Sequence, residues 1–253
     1  MNRKLTMHRP EGDVLITLAA SWDQWDDHLE NIQSILHPQE IFLLNKFETR
    51  KAKANFFAGR YAAKQAIYAY IGREDYAGML IQPGVFGQPV LKMNDTDNLQ
   101  VSISHSNGCA MALAFPEIHP MGIDVELIFK EDAFLSNGVI SESEHHFLDM
   151  LNPDKLISNT LLWTIKEALS KVLRTGLMTP FHFFEICDVR HYKNVIISEF
   201  VHFPQYKSLS WIAGKYSFSI VSPKNSTLDL EVLNTVQNEL SATFSVKKKL
   251  SVL

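Results

Sequence analysis

The sequence predicts an α+β fold made of two similar halves, with a functional site at their interface. Three observations predict it. A long helical periodicity is followed by short strand-like runs, and this order occurs twice. The two helical segments echo one another as Phe57-x-x-Arg60-Tyr61-Ala62 and Trp163-x-x-Lys166-Glu167-Ala168. The chain, 253 residues long and 46% hydrophobic, can bury a core in each of two modest domains. The halves run over 1–118 and 119–222, meeting near Pro116 to Met121, and 223–253 forms a C-terminal extension.

The elements follow in order. Val14 to Ala19 is a short apolar, β-branched run that reads as an opening strand, before a polar stretch rich in Trp and Asp. His37-Pro38-Gln39-Glu40 has the form of a helix entry, with Pro in the first turn. Phe56, Tyr61, Ala63, Ile67 and Tyr70 space a helix from Thr49 to Ile71 with Gly72 as its cap. Gly59 inside that helix costs up to about 1 kcal/mol against Ala, so a neighbour is expected close to the backbone there.

Strands are expected at Met79 to Gln82, Pro89 to Met93, Val101 to Ser104, Cys109 to Phe115 and Gly122 to Ile128. Ser141-Glu142-Ser143-Glu144 reads as a capping box for a helix to Leu151, and Asn159 as the cap of a helix through Leu173 to Gly176. Strand-like runs return at Phe183 to Val189, Asn194 to Phe203, Leu209 to Ala213 and Tyr216 to Val221. Leu228, Leu230, Val232, Leu233, Val236 and Leu240 then suggest an amphipathic helix in the extension.

Composition excludes several classes. With a net charge of -4 and dispersed basic residues there is no footprint for nucleic acid or an anionic membrane, and Lys247 to Lys249 read as a solvated end. Arg3, Lys4 and His8 precede an apolar run in the order of a signal peptide, but Glu11 and Asp13 interrupt it, and no apolar segment approaches membrane-spanning length. A cytoplasmic protein is expected. Cys109 and Cys187 read as buried thiols, not a metal pair.

Three segments can carry chemistry. In Gly122-Ile-Asp-Val-Glu126, strand alternation puts Asp124 and Glu126 on one face. Paired carboxylates suit a hard cation such as Mg²⁺, yet a lone Asp-x-Glu is the commoner mark of a solvated acidic strand edge. In Trp163-Thr-Ile-Lys-Glu-Ala-Leu-Ser-Lys171, helical spacing groups Trp163, Lys166, Glu167, Ser170 and Lys171, where Glu167 and Lys171 equally form an ordinary surface i,i+4 pair. In Val101-Ser-Ile-Ser-His-Ser106, His105 ends a strand, where it can donate to a phosphate or simply cap a turn. No Gly-x-Ser-x-Gly elbow, His-Glu-x-x-His, Walker loop or Gly-x-Gly-x-x-Gly occurs.

In this order and at these separations, the three segments resemble the signature of the 4'-phosphopantetheinyl transferase superfamily. The length and paired units resemble its larger, pseudo-dimeric (surfactin-synthetase, or Sfp-type) branch, over roughly Pro38 to Val221. The resemblance implies a magnesium-dependent transfer of 4'-phosphopantetheine from coenzyme A to a serine of an acyl- or peptidyl-carrier protein, by a monomer, with Mn²⁺ able to replace Mg²⁺. Asp124, Glu126 and Glu167 would hold the metal; Glu167, Lys171 and Asp124 would be catalytic; Ser104, His105, Lys171, Arg60, Gln88 and Lys166 would contact coenzyme A. Phe86-Gly87-Gln88-Pro89 resembles the family's Gly-x-Pro turn.

The chain departs from that pattern at Glu40, Leu43 and Asn55, where relatives often carry basic residues, and at Gln88, which replaces a frequent Lys; Arg50, Lys51, Lys53 and Arg60 are the candidates to compensate. Two other readings stand beside this one: a non-catalytic carrier- or coenzyme-binding relative, and an unrelated Mg²⁺-dependent phosphohydrolase using the same acids. For carrier docking, Arg174 is the favoured cation, since it follows the catalytic helix where its dipole also favours positive charge; capping its own helix is the competing role.

Overall fold

A computed structural model describes residues 1–22, 25, 32–93, 98–128 and 138–250. The polar stretch after Trp22 lies largely outside the described residues, and of Lys247 to Lys249 only the backbone is described. The chain opens with strands β1 (Asn2–His8) and β2 (Val14–Trp22), then helices α1 (Ile32–Ile35), α2 (Pro38–Leu44) and α3 (Arg50–Ile71). Strands β3 (Leu80–Pro83), β4 (Pro89–Lys92), β5 (Leu99–Ser106), β6 (Cys109–Pro116) and β7 (Gly122–Leu127) follow. After them come α4 (His145–Leu151) and α5 (Lys155–Leu173), then β8 (Ile186–Tyr192), β9 (Val195–Phe200), β10 (Tyr206–Ala213), β11 (Tyr216–Pro223), β12 (Thr227–Leu228) and α6 (Leu230–Leu250).

Among the described residues these strands form two five-stranded antiparallel sheets, ordered β12-β1-β2-β6-β5 and β7-β11-β10-β9-β8, and a separate β3-β4 hairpin. Helix α3 covers the outer face of the first sheet through Phe57, Ala62, Ala66 and Ile67, and α5 covers the second through Leu161, Leu162, Ile165 and Leu169. Between the sheets lies a central core of Ile16, Leu18, Met111 and Leu113 from one side and Ile123, Val125, Trp211 and Phe218 from the other. The expected α+β pattern of helix plus strands, twice over, is therefore what the chain forms.

The duplication is visible at the level of single bonds. Glu40 and Glu144 are both fully buried, each closing a capping box three residues after its N-cap. Glu40 accepts the Ile81 N–H while Lys64 Nζ lies 2.5 Å from it and donates to the Ile35 and Tyr76 carbonyls. Glu144 accepts the Ile186 N–H while Lys166 Nζ, also at 2.5 Å, donates to the Val139 carbonyl and, at 3.5 Å, that of Phe181. Lys64 and Lys166 are thus equivalent, and the true echo is Tyr61-x-x-Lys64-Gln65-Ala66 against Trp163-x-x-Lys166-Glu167-Ala168. The expected pairing of Arg60 with Lys166 is off by one helical turn, a slip that keeps residues on nearly the same face and so escapes periodicity.

Several expectations need correction. Strand β1 went unread because only Leu5 and Met7 turn inward along it. Helix α5 starts four residues before Asn159: Asp154 is its cap, accepting the Leu156 and Ile157 N–H groups, and Asn159 is buried within the helix. The helix ends at Leu173 with Arg174 in the left-handed conformation (φ 57°), ahead of Gly176. Phe181–Phe184 form a 3₁₀ turn, so the strand begins only at Ile186. Cys187 is exposed on β8, whereas Cys109 is buried as expected.

The extension returns to both sheets. Strand β12 pairs with β1 at Met7 and His8, and Leu233, Val236 and Leu240 of α6 enter the central core. An amphipathic helix was expected there, and its apolar stripe is what buries it.

Candidate functional site

The outer strands β5 and β7, one from each sheet, run side by side in the same sense. Serine hydroxyls bridge them: Ser102, Ser104 and Ser106 accept the N–H groups of Ile123, Val125 and Leu127 at 3.1, 3.2 and 3.1 Å. Strand alternation aims all three serines at β7, so the pattern Val-Ser-Ile-Ser-His-Ser is the local reason the halves meet here. Glycines allow the close approach. A Cβ on Gly122 would stand 2.1 Å from the Ala168 carbonyl of α5, and one on Gly59 of α3 would press on Ile103 and His105 at 3.2 and 3.3 Å. The neighbour expected at Gly59 is thus the face of β5.

A cavity of about 360 Å³ opens along this seam, lined by Arg60, Ser104, His105, Asp124, Glu126, Glu167 and Lys171 among others. Seven of the nine residues singled out from the sequence therefore converge on one cavity. Gln88 does not join them; its side-chain oxygen accepts the Phe86 N–H inside the β3–β4 turn, and it lines an adjoining cavity of about 280 Å³ together with Gln100, Phe115, Met121 and Arg174. Glu167 and Lys171 face both cavities.

Lys166 reaches neither cavity, which corrects its expected place among the coenzyme contacts. It is fully buried against Glu144, and Trp163, on the same side of α5, packs on Phe181 with ring centroids 5.4 Å apart. The helix face that groups these residues in sequence is wide enough to serve two purposes. Trp163 and Lys166 dock the 3₁₀ turn after α5, while Glu167 and Lys171 point to the seam.

Asp124 is no solvated edge residue, being 3% exposed. Its Oδ1 accepts from Ser104 Oγ at 2.6 Å and from Lys171 Nζ at 2.7 Å, and its buried Oδ2 has no hydrogen-bond partner among the described residues. Lys171 therefore pairs across to Asp124 and also donates to the Ile123 carbonyl at 3.0 Å. The Ser104 proton, expected toward coenzyme A, is committed to Asp124. Glu126 Oε2 accepts from Ser106 Oγ at 2.6 Å, a contact between the halves that spacing alone does not disclose.

Electrostatics set this cavity apart. Burial pushes the Glu126 carboxyl up to about 7, Asp124 adding repulsion while Ser106 and Lys171 oppose it. Burial likewise pushes Glu167 up to about 7, with Asp124 and Glu126 adding to the rise and Lys171 opposing. The protein packed around the His105 ring, and then the Lys171 ammonium, hold that imidazole below its ordinary value, although His105 keeps contact with solvent at the rim. Arg60 sits 3.3 Å from Glu40 and over the Phe56 ring at 4.6 Å, bringing a cation to the wall; Arg50, Lys51 and Lys53 are not among the lining residues.

Three carboxylates around one cavity, two of them reluctant to ionise and the third with an orphaned oxygen, fit a hard divalent cation. Among the described residues no ready-made cluster of three ligands stands in place. Mg²⁺ suits such an open arrangement, because it takes few protein carboxylates and completes its shell with water and phosphate oxygens.

The second half of the chain, residues 120–221, matches the family model of the 4'-phosphopantetheinyl transferase superfamily. A 4'-phosphopantetheinyl transferase of Aneurinibacillus migulanus, gsp, is 29% identical over 112 residues, 43% of this chain and 44% of that relative. This chain thus spans less than half of the length of that relative. The holo-[acyl-carrier-protein] synthase of Mycoplasma capricolum is 30% identical over 88 residues, covering 35% of this chain and 79% of the synthase. A crystal structure of the Bacillus anthracis holo-(acyl-carrier-protein) synthase with CoA (3',5'-ADP) aligns at 19% identity and a TM-score of 0.36, over 44% of this chain and 96% of that one.

Proposed function

This chain belongs to the 4'-phosphopantetheinyl transferase superfamily, and we propose that it moves the 4'-phosphopantetheine group of coenzyme A to a serine of an acyl- or peptidyl-carrier protein, releasing adenosine 3',5'-bisphosphate. The observation that carries the proposal is the convergence of Asp124, Glu126, Glu167 and Lys171 with Ser104 and His105 on one cavity between the halves.

The chemistry asked of these groups is modest. The carrier hydroxyl forms a new P–O bond to the phosphopantetheine phosphorus as the P–O bond to the nucleotide phosphate breaks. Such transfers depend on positioning and on charge stabilisation more than on covalent help from protein. Asp124, Glu126 and Glu167 would hold Mg²⁺ or Mn²⁺, which when bound neutralises the pyrophosphate. Lys171 would exchange part of its pairing with Asp124 for the phosphate being transferred, and His105 would donate an N–H to a nucleotide phosphate from the cavity rim. Glu167 would accept the proton of the incoming hydroxyl, and Arg60 would supply positive charge at the nucleotide end. No nucleophile on this chain is required, in keeping with the lack of a nucleophilic elbow in its sequence.

Chromatographic assay of adenosine 3',5'-bisphosphate tests this reading. Release should require both Mg²⁺ and an apo-carrier protein. Release at the same rate without carrier would instead mean hydrolysis.

A further inference from the structure

Ser106 closes a tight hairpin. It pairs with Cys109 across the two-residue turn Asn107-Gly108, whose φ angles of 44° and 86° are those of the turn type that joins twisted strands with least strain. The turn is pinned from both sides, since Tyr216 of β11 donates its hydroxyl to the Asn107 carbonyl at 2.8 Å and Trp25 Nε1 donates to the Gly108 carbonyl at 3.0 Å. A short side chain on so fixed a backbone has little freedom. Its one proton goes to Glu126 Oε2 at 2.6 Å, and a lone pair accepts the Leu127 N–H at 3.1 Å.

We infer that Ser106 is a positioning residue: held by the first half of the chain, its hydroxyl fixes the Glu126 carboxylate of the second half so that the other oxygen, Oε1, is presented to the cation. This rests on the proposed function above. Ser106 touches neither substrate nor metal in this role and acts through Glu126. The rung at the other end of the ladder supplies the comparison, because Ser102 accepts the Ile123 N–H at the same 3.1 Å where β7 carries no carboxylate. A serine needed only to join the strands would behave like Ser102, and one needed to aim an acid would not.

The test is uptake of Mn²⁺ by the full chain at constant coenzyme A, read as loss of the free-ion EPR signal, beside the melting temperature of each variant. Ser106→Ala should weaken Mn²⁺ binding by about tenfold, the low end of what loss of a ligand-orienting partner costs. Ser106→Thr, which keeps the hydroxyl, should bind within about twofold of the original, as should Ser102→Ala even where its melting temperature falls as far as that of Ser106→Ala. Unchanged Mn²⁺ affinity in Ser106→Ala, or an equal loss in Ser102→Ala, would overturn the inference while leaving the proposed function intact. An unsubstituted protein that takes up no more Mn²⁺ than coenzyme A alone would overturn the metal reading and this inference with it.

Discussion

Lys171 Nζ lies 2.7 Å from Asp124 Oδ1, so the cation assigned to the transferred phosphate is held, before any ligand arrives, by an acid assigned to the metal. The two are coupled, and their variants should not add. Lys171→Met and Asp124→Asn are each expected to lower the rate of transfer by roughly 10²–10³-fold, the scale on which one preorganised electrostatic partner acts. The double variant should lose distinctly less than the product of the two. A double-mutant cycle on kcat/KM for coenzyme A checks this; strict additivity would mean that the pair does not work as a unit.

Asp124→Ala should abolish transfer as well, but the structure changes what it says about folding. From the strand pattern Asp124 looks removable without touching the core. Being buried and bonded to Ser104 and Lys171, it should cost stability when truncated, by about 1–3 kcal/mol for the polar partners left behind. Chemical denaturation of Asp124→Ala beside Asp124→Asn measures that difference.

Lys166 belongs to the family motif yet is expected to be structural in this chain. Removing one partner of a buried ion pair costs about 3–5 kcal/mol, so Lys166→Met should lower Tm on the order of 10 °C. Activity per folded molecule should stay within a few-fold. Adding Glu144→Gln should restore much of the lost stability, because it removes the charge left unpaired. Calorimetry with active-site titration separates this from a coenzyme-binding role, which would raise the KM for coenzyme A at full stability.

The two helix-plus-strands units were legible because each carries a strong local signal: Thr49 and Gly72 bracket α3, and Ser141 with Glu144 marks the entry to α4. Six residues of the carboxylate cavity, Ser104, His105, Asp124, Glu126, Glu167 and Lys171, were legible through motif order, while Lys166 and Gln88, expected with them, lie outside it. What stayed hidden depends on partners distant in sequence. A buried lysine and an exposed one look alike until Glu144 is seen opposite, and Ser106 gains meaning only when β5 and β7 are set side by side. Gln65 illustrates the same limit: it occupies in the first half the place of Glu167 in the second, but only the matching Lys64–Glu40 and Lys166–Glu144 pairs reveal it.

Arg174 is the residue favoured for carrier docking, and the structure gives it two local duties. It holds the left-handed position ending α5, and its guanidinium donates to Gln100 Oε1 at 3.0 Å on the rim of the smaller cavity. Arg174→Gly should relieve about 1 kcal/mol of backbone strain and raise Tm, while Arg174→Glu should not. If the guanidinium also meets an acidic carrier, both should raise the carrier KM, Arg174→Glu by about fivefold or more at low salt, with the effect fading as salt rises. An unchanged carrier KM in both would leave Arg174 as a helix terminus alone.

Intact-mass spectrometry of an apo-acyl-carrier protein incubated with this protein, coenzyme A and Mg²⁺ reads the proposed transfer itself. The carrier should gain one phosphopantetheine group on its serine. Glu167→Gln should slow this gain by roughly 10²–10⁴-fold, the range for loss of a group that moves a proton. A carrier that keeps its apo mass while coenzyme A is hydrolysed would overturn the proposed transfer, and one modified equally fast by Glu167→Gln would remove Glu167 from it.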